Sequence, residues 1–293
     1  LAEGDYLAFV DSDDYVGIDF YRLLVTEAER HQADMILART VLVERDRVVF
    51  NLHDVAFPDE ALRGKAVFQT FLAQEGRCYS WHTVWNKLYS RSLWERCLPY
   101  YQTFDEHVVM MEDVAFSFPL FYFASHVMKV ENSVYYYCQN KGSSTDTKTS
   151  SRSKVEKNLS DIFKVFAFVR CFLHQVGVSE QEMRNYESFR DYYVRLWKTG
   201  IGSITDEEDR RKIAKLFSER FGEAGEFTND DRLFRAIRTD WNDQLEEVKQ
   251  KIVDPAYEYI SFDIFDTLVL RPFLRPTDLF YLLDGLYEME MAS

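Results

Sequence analysis

Residues 4–15 constrain the fold of this chain more than any other stretch. Tyr6–Val10 is apolar, aromatic or β-branched throughout, which is typical of a buried strand in a covered sheet. The next four residues, Asp11 to Asp14, are acidic except for one serine. Polarity therefore changes abruptly at the carboxyl end of a predicted strand, which is the edge where open α/β sheets bind ligands.

The acidic residues of this stretch have two interpretations. If the extended backbone persists through Ser12, the side chains of Asp11 and Asp13 share a face because side chains alternate along a strand. A hard divalent cation, Mg²⁺ or Mn²⁺, would relieve their repulsion, since it takes oxygen ligands and bridges to phosphate. The alternative is an acidic turn in which Asp14 caps the following helix.

The full string Gly-Asp-Tyr-Leu-Ala-Phe-Val-Asp-Ser-Asp-Asp resembles the nucleotide-sugar and metal motif of family 2 glycosyltransferases, which are inverting enzymes with a GT-A fold. The resemblance implies that Asp11 lies at the ribose of a nucleotide-sugar donor. It also implies that Asp13, with Asp11 beside it, holds the Mn²⁺ or Mg²⁺ ion that carries the diphosphate.

Net charge and composition exclude several other classes of protein. The formal charge of −14 and the pI of about 5.0 disfavour nucleic acid as a partner and make a bridging cation more necessary for an anionic donor. The four cysteines are far apart and the six histidines form no ligand pair, so we expect buried thiols and no zinc site. No apolar run approaches the ~20 residues of a membrane helix, and the first residues do not resemble a signal peptide.

A tryptophan-rich segment lies downstream of the metal motif. Residues 85–91, Trp-Asn-Lys-Leu-Tyr-Ser-Arg, are similar to the segment that these glycosyltransferases carry between the metal motif and the acceptor site. The resemblance implies acceptor or sugar contacts for Trp85 and Lys87. The alternative is that Trp81, Trp85 and Trp94 are core or rim aromatics.

Two further acidic residues, Glu112 and Asp113, precede an apolar helical run. Acidic residues are favoured at a helix start by the macrodipole, so a capping role is one interpretation. The order of the three motifs reproduces that of family 2 glycosyltransferases. By this resemblance Asp113 is the general base and Glu112 contacts the acceptor or sugar.

Short strands are predicted over 127–130 and 134–138, and a glycine- and serine-containing loop comes after them. In the family this loop often carries a basic residue that meets phosphate, and Lys141 is the nearest match. Residues 142–154 are predicted to form a linker or lid. Helical periodicity then extends over 155–250, and we expect that region to pack on the transferase segment or to space it from the last part of the chain.

The pattern changes again after Pro255. A predicted strand, Tyr257–Phe262, leads into Asp263-Ile-Phe-Asp266-Thr-Leu, which resembles the first motif of the haloacid dehalogenase (HAD) superfamily. By resemblance Asp263 is the nucleophile and Asp266 the acid and base, although their spacing is one residue longer than the common one. We expect this piece to lack the remaining HAD motifs, and an inert strand and turn is the alternative.

Together these patterns predict an α/β protein with three parts. Residues 1–145 form a partial GT-A domain that lacks its upstream base-binding strands, 146–254 an all-helical region, and 255–293 the truncated start of a HAD-like domain. The predicted activity is inverting, metal-dependent transfer of a sugar to a glycan or lipid-linked acceptor in surface polysaccharide synthesis, and we expect the fragment to be inactive by itself. A cytoplasmic location is predicted, and peripheral association with the inner membrane face is compatible with it. A HAD-type phosphatase and a non-catalytic interaction protein are the alternatives.

Overall fold

A computed structural model describes residues 4–44, 47–49, 61–104, 107–138, 152–202, 204 and 206–222. Within these ranges, all residues except Val48 and Val49 belong to one compact unit. Val48 and Val49 belong to a second unit, whose other residues lie outside the described ranges.

The described residues form a mixed arrangement of strands and helices. The strands are β1 (Tyr6–Ala8), β2 (Tyr15–Val16), β3 (Met35–Glu44), β4 (Arg47–Val49), β5 (Leu62–Arg63), β6 (Lys87–Ser90) and β7 (His126–Cys138). The helices are α1 (Phe20–His31), α2 (Lys65–Ala73), α3 (Tyr79–His82), α4 (Arg91–Tyr101), α5 (Glu112–Phe123), α6 (Arg152–Val176), α7 (Glu180–Ile201) and α8 (Glu207–Phe221).

Strand β3 lies at the centre of the sheet, whose strand order is β1-β6-β3-β7-β2 with β5 also paired to β7. β3 runs parallel to β7 and antiparallel to β6, and β1 runs antiparallel to β6. Residues Met35–Ala38 of β3 are fully buried. This near-continuous apolar burial is what a strand covered on both faces requires.

A register shift divides β7 in two. Val130 pairs with Ala38 and Val134 pairs with Arg39, so three residues of β7 lie opposite no residue of β3. Ser133, the last residue of this bulge, is buried and donates its hydroxyl to the Phe20 carbonyl at the start of α1. The two strands predicted over 127–130 and 134–138 are therefore one strand interrupted by a bulge.

Helix α5 is apolar on almost every side, and its buried residues include Val114, Phe118 and Phe121. It packs against α2, α3, α4 and α6, while α7 packs against α2 and α8. The helical region thus packs directly on the predicted GT-A part of the chain, which is one of its two predicted arrangements. Within that region, α6, α7 and α8 share a small core of their own around Leu159, Ile213 and Phe217.

Most predicted elements are confirmed within the described residues. Apolar periodicity in the sequence predicts helices over 18–30, 66–73, 113–122, 179–199 and 206–221 and strands over 33–43 and 47–52. The structure has a matching element at each of them, and Arg47–Val49 is the described part of the last. The sequence also predicts helices over 229–250 and 277–287 and the strand over 257–262, and all three lie outside the described residues.

Two predictions about burial are wrong. The sequence predicts a buried strand over Tyr6–Val10, whereas β1 spans Tyr6–Ala8 and is half-buried. It lies at the end of the described strand order because β6 is its one partner there. Of the four cysteines, which are all free, Cys97 is buried but Cys171 is exposed. Cys171 is exposed because it lies on the outer side of α6, away from the buried Phe172 and Leu173.

The carboxylate of Asp34 ties the beginnings of β3 and β7 together. One oxygen accepts from the Ser125 backbone amide (2.8 Å), the Ser125 hydroxyl (2.6 Å) and the His126 amide (3.0 Å). The other oxygen accepts from Arg96 at 2.9 Å. A single side chain therefore satisfies the donors where the two parallel strands start.

We expect Asp34→Ala to lower the free energy of unfolding by about 2 kcal/mol, because the part-buried His126 amide loses its acceptor. Asp34→Asn keeps one acceptor oxygen and should lose less. Urea denaturation measures both. Asp19→Ala is the control, since its exposed ion pair with Arg22 contributes about 0.5 kcal/mol or less; an equal loss in Asp19→Ala would contradict this account.

Candidate active site

The strand directions bring several functional segments to one edge of the sheet. Because β1 and β3 both run antiparallel to β6, and β7 runs parallel to β3, the carboxyl ends of β1, β3 and β7 lie on the same side as the amino end of β6. The acidic stretch after β1 and the segment before β6 therefore meet there. This is the edge at which the sequence predicts a ligand site.

The acidic stretch forms a turn. The Asp14 amide donates to the Asp11 carbonyl at 3.1 Å, so the strand does not continue through Ser12 as the shared-face prediction required. Asp11 and Asp13 are nevertheless exposed on this turn, and their carboxylates are close enough to interact electrostatically. Partial burial, together with the smaller effect of the Asp13 charge, raises the pKa of Asp11.

Asp14 anchors this turn and does not cap α1. One of its oxygens accepts from the Tyr135 hydroxyl (2.8 Å) and the other from the Cys138 amide (2.7 Å), both on β7. The Tyr135 oxygen also accepts from the Asp11 amide at 3.1 Å. The N-cap position of α1 is Asp19, whose side chain makes no capping bond and instead accepts from Arg22. The capping interpretation of Asp14 is therefore wrong, because β7 offers it two donors.

Glu112 and Asp113 begin α5 as predicted, after Met111 in a left-handed conformation (φ 64°). Asp113 accepts from the Val84 amide at 3.3 Å, which joins α5 to the segment before β6. Burial, with the charges of Glu112 and Asp11, raises the pKa of Asp113 to about 7, and Lys87 and the Val84 amide oppose the rise. A carboxyl group with this pKa exchanges its proton near neutral pH.

Electrostatic coupling links the two acidic segments. The charge of Asp11 raises the pKa of Glu112 as well as that of Asp113, although burial is the larger cause for both. The structure therefore brings the motif after β1 and the motif at the start of α5 into one acidic site. Lys157 of α6 lies near enough to lower the pKa of Glu112, so the helical region also reaches this site.

Trp85 and Lys87 lie below the surface of the site. Trp85 is 3% exposed and stacks on Tyr135 and Tyr137, with ring centroids 4.3 and 5.4 Å away. Lys87 is fully buried, and its ammonium donates to the Ser80 carbonyl (2.7 Å), the Thr83 carbonyl (2.5 Å) and the Asn86 side chain (2.6 Å). Side chains buried in this way do not reach a sugar, so direct contact by these two residues is corrected to a supporting position.

The other tryptophans of the segment are also packed against protein. Trp81 is 1% exposed and packs on Phe121, while Trp94 is half-buried between Phe9 and Phe116. The core-or-rim interpretation of the three tryptophans is therefore the one that the structure supports.

Tyr79 and Tyr135 take part in the site although sequence reasoning did not identify them. Burial raises the pKa of Tyr79 well above its usual range, and Asp113, Tyr137 and Glu112 are next among the causes. Tyr135 holds the Asp11–Asp14 turn, as described above. The tyrosine-rich composition of the strand before Cys138 is the signal in the sequence that marks Tyr135 and Tyr137.

The donor set is compatible with a divalent cation. Asp11 and Asp13 are exposed carboxylates on one turn, and their mutual repulsion is the feature that a cation would relieve. Among the described residues, no group of three or more His, Cys, Asp or Glu side chains is arranged around a common metal position. Mg²⁺ is commonly held by one or two carboxylates together with substrate phosphates, so two aspartates fit such an ion.

Three predicted site residues, Lys141, Asp263 and Asp266, lie outside the described residues, and their roles stay predictions. Within the described ranges, no helix has the length and apolar character needed to span a bilayer.

Comparison with known proteins adds a family match to this geometry. Residues 1–97 match the family model described as Glycosyl transferase family 2. The match includes the Asp11–Asp14 turn and the segment before β6, and it ends before Glu112. The chain is also 31% identical over 145 residues to the uncharacterized glycosyltransferase EpsJ of Bacillus subtilis (strain 168). That alignment covers 50% of this chain and 41% of EpsJ.

Similar solved structures include two of S. aureus TarS 1–349. The complex with UDP-GlcNAc is 15% identical, with a TM-score of 0.37, and the match covers 90% of this chain and 72% of that one. The structure without a named ligand is 16% identical, with a TM-score of 0.34, over 90% and 71% of the two chains.

We expect the stability advantage of the wild type over Asp113→Asn to shrink as the pH rises from 5 to 7. The folded-state pKa of Asp113 is about 7, above its ordinary 3.8, so the stability linked to this group is present below the ordinary pKa and is lost as pH rises through the folded value. Urea denaturation of both proteins at several pH values measures the difference. A difference between the two proteins that stays constant from pH 5 to 7 would show that the folded-state pKa of Asp113 is not raised into this range.

Proposed function

We propose that this chain is part of an inverting, metal-dependent glycosyltransferase that moves a sugar from a nucleotide-sugar donor to a hydroxyl group of an acceptor. The observation that carries the proposal is the convergence of the Asp11–Asp14 turn and Asp113 at one edge of the sheet. The family match over residues 1–97 supports the same activity for the turn and its surroundings.

Asp113 is the proposed general base. Its pKa of about 7 suits proton transfer at neutral pH, because an efficient base is one whose pKa lies near the working pH. The acceptor oxygen attacks the anomeric carbon while the bond from that carbon to the diphosphate oxygen breaks. Asp113 takes the acceptor proton, and the nucleoside diphosphate leaves with the bonding electron pair. Attack from the face opposite the leaving group inverts the anomeric centre.

Asp13 and Asp11 are the residues that would hold Mn²⁺ or Mg²⁺. When bound, such an ion neutralises charge that develops on the departing diphosphate. Both carboxylates are exposed to solvent on the turn, and Asp14 accepts two hydrogen bonds from β7. The turn thus divides its acidic residues between ligand binding and anchoring.

Glu112 is the residue proposed to contact the acceptor or sugar. It is exposed beside Asp113 at the start of α5 and shares the electrostatic influence of Asp11. The buried side chains of Trp85 and Lys87 support the site without being exposed in it. Lys87 holds the carbonyl groups of Ser80 and Thr83, next to the amide that Asp113 contacts.

The acceptor proposed for the whole protein is a glycan or lipid-linked glycan of surface polysaccharide synthesis. This assignment, a cytoplasmic location and peripheral association with the inner membrane face all rest on the resemblance to family 2 glycosyltransferases. The chain spans 41% of the length of the EpsJ relative, so the complete activity belongs to the proposal for the full-length protein.

Two substitutions separate the proposed roles. In the full-length protein, Asp113→Asn should lower kcat by about 10²- to 10⁴-fold, the usual contribution of a general base, with little change in the Kd for nucleoside diphosphate. Asp13→Asn should instead weaken Mn²⁺-dependent binding of nucleoside diphosphate. Calorimetric titration and steady-state transfer assays measure the two effects.

Asp19→Asn is the matched control for these substitutions, since Asp19 is an exposed aspartate between the turn and α1 that pairs with Arg22. It should change neither quantity. An equal loss of binding and transfer in Asp113→Asn would mark Asp113 as a structural residue.

The pH profile of transfer gives an independent test. Because the base must be deprotonated and its pKa is about 7, we expect kcat to rise between pH 6 and 8 and then to level off. The measurement is kcat at saturating donor and acceptor across this range. An acid limb centred below pH 5 would contradict the assignment of Asp113 as the base.

A further inference from the structure

Helix α7 reaches the segment that supports Asp113. The hydroxyl of Tyr193 is hydrogen-bonded to Nε2 of His82 in α3. Both side chains are buried, at 7% and 2% exposure, and the ring of His82 also packs edge-on against Phe189 of α7. A polar contact between two elements in a dry environment fixes their relative position closely.

His82 in turn belongs to the segment that carries the amide bound by Asp113. Val84, two residues later, donates its amide to Asp113. The carbonyl of His82 accepts from the Ser117 hydroxyl at 2.7 Å, and Ser117 lies about one turn after Asp113 in α5. Residues 80–84 are therefore held by Lys87 from β6, by Ser117 from α5 and by Tyr193 from α7.

A glycine permits this approach of α7. Gly76 has φ +74°, and a Cβ atom placed there would lie 2.8 Å from Cε2 of Tyr193. A side chain at position 76 would therefore displace Tyr193 from His82, besides straining the backbone. The loop before α3 is shaped to accept this tyrosine.

We propose that Tyr193 is a positioning residue which, through His82, holds the Val84 amide on the carboxylate of Asp113. The helical region then has a function beyond packing, because one of its side chains helps to set the geometry of the site. The inference rests on the proposed function only where it treats Asp113 as the general base; the coupling between Tyr193 and Asp113 can be measured without catalysis.

Several titratable groups interact electrostatically with Asp113. They are Glu112 in α5, Asp11 in the turn, Lys87 and Tyr89 in β6, Tyr79 in α3 and Tyr193 in α7. The Val84 amide is the neutral group that favours the charged form of Asp113. Weakening that hydrogen bond therefore moves the titration of Asp113 to higher pH.

Tyr193→Phe removes the hydroxyl and keeps the ring. Tyr186→Phe is the matched control, because Tyr186 is a buried tyrosine of the same helix whose hydroxyl donates to the Phe166 carbonyl in α6 at 2.7 Å. The titration of Asp113 is followed by ¹³C NMR of labelled aspartate carboxyl groups in the full-length protein, with Asp113→Asn assigning the signal. The same variants are assayed for transfer across the same pH range.

We expect Tyr193→Phe to raise the pH midpoint of Asp113 by about half a unit, the size expected from weakening one hydrogen bond, and Tyr186→Phe to leave it unchanged. In transfer assays the acid limb of kcat should move by the same amount, with KM unchanged and kcat recovered at higher pH. Equal shifts in both variants, or none in Tyr193→Phe, would overturn the inference. A shift in the NMR titration without transfer by the wild type would support the coupling and refute the proposed function.

A second pair of variants covers the case in which Tyr193→Phe does not fold. His82→Gln places a side-chain amide near the position of Nε2, whereas His82→Leu has no polar atom there. We expect the Asp113 midpoint to rise in His82→Leu and to stay near the wild-type value in His82→Gln. The same midpoint in both variants would overturn the inference.

Discussion

The parallel pairing of β3 with β7 is the constraint on which the site depends. It sets the direction of the sheet, so the carboxyl ends of β1, β3 and β7 share an edge. It also carries Tyr135 and Cys138 to the place where they bind Asp14. The acidic turn is therefore positioned by a strand more than 100 residues later in the chain. Three hydrogen bonds hold it: the two that Asp14 accepts and the one that the Asp11 amide donates to Tyr135.

The site concentrates negative charge where burial already disfavours it. Burial is the larger cause of the raised pKa values of Asp11, Glu112 and Asp113, and neighbouring carboxylates add to it: Asp13 acts on Asp11, and Asp11 acts on both Glu112 and Asp113. The positive charge of the buried Lys87 lowers the pKa of Asp113. Burial in turn lowers the pKa of Lys87 to about 7. Asp113 and Lys87 thus both exchange protons near neutral pH and lie close together. Such perturbed pKa values are common at functional sites, and they cost free energy of folding.

Local pattern predicted much of this structure. The strand and helix periodicities located α1, α2, α5, α7, α8 and β3. The sequence could not show that Trp85 and Lys87 are buried, because their burial depends on β7 and on residues 80–83 folding over them. Asp14 likewise looked like a helix cap, since its real partners are distant in sequence. Tertiary partners, rather than local preference, decided each of these positions.

The bulge in β7 has a consequence for how this chain tolerates insertions and deletions. Because it adds three residues between Val130 and Val134, the side chains of Tyr135 and Tyr137 fall on the same face as Val130 and Met128. In an unbroken strand Val130 and Tyr135 would lie on opposite faces, since side chains alternate along a strand. A residue lost or gained within 131–133 changes the length of an unpaired segment, and it would leave the pairing of Tyr135 with Thr40 and of Tyr137 with Leu42 unchanged. The bulge therefore separates the length of the chain at this point from the orientation of the two tyrosines that pack on Trp85, one of which also binds Asp14.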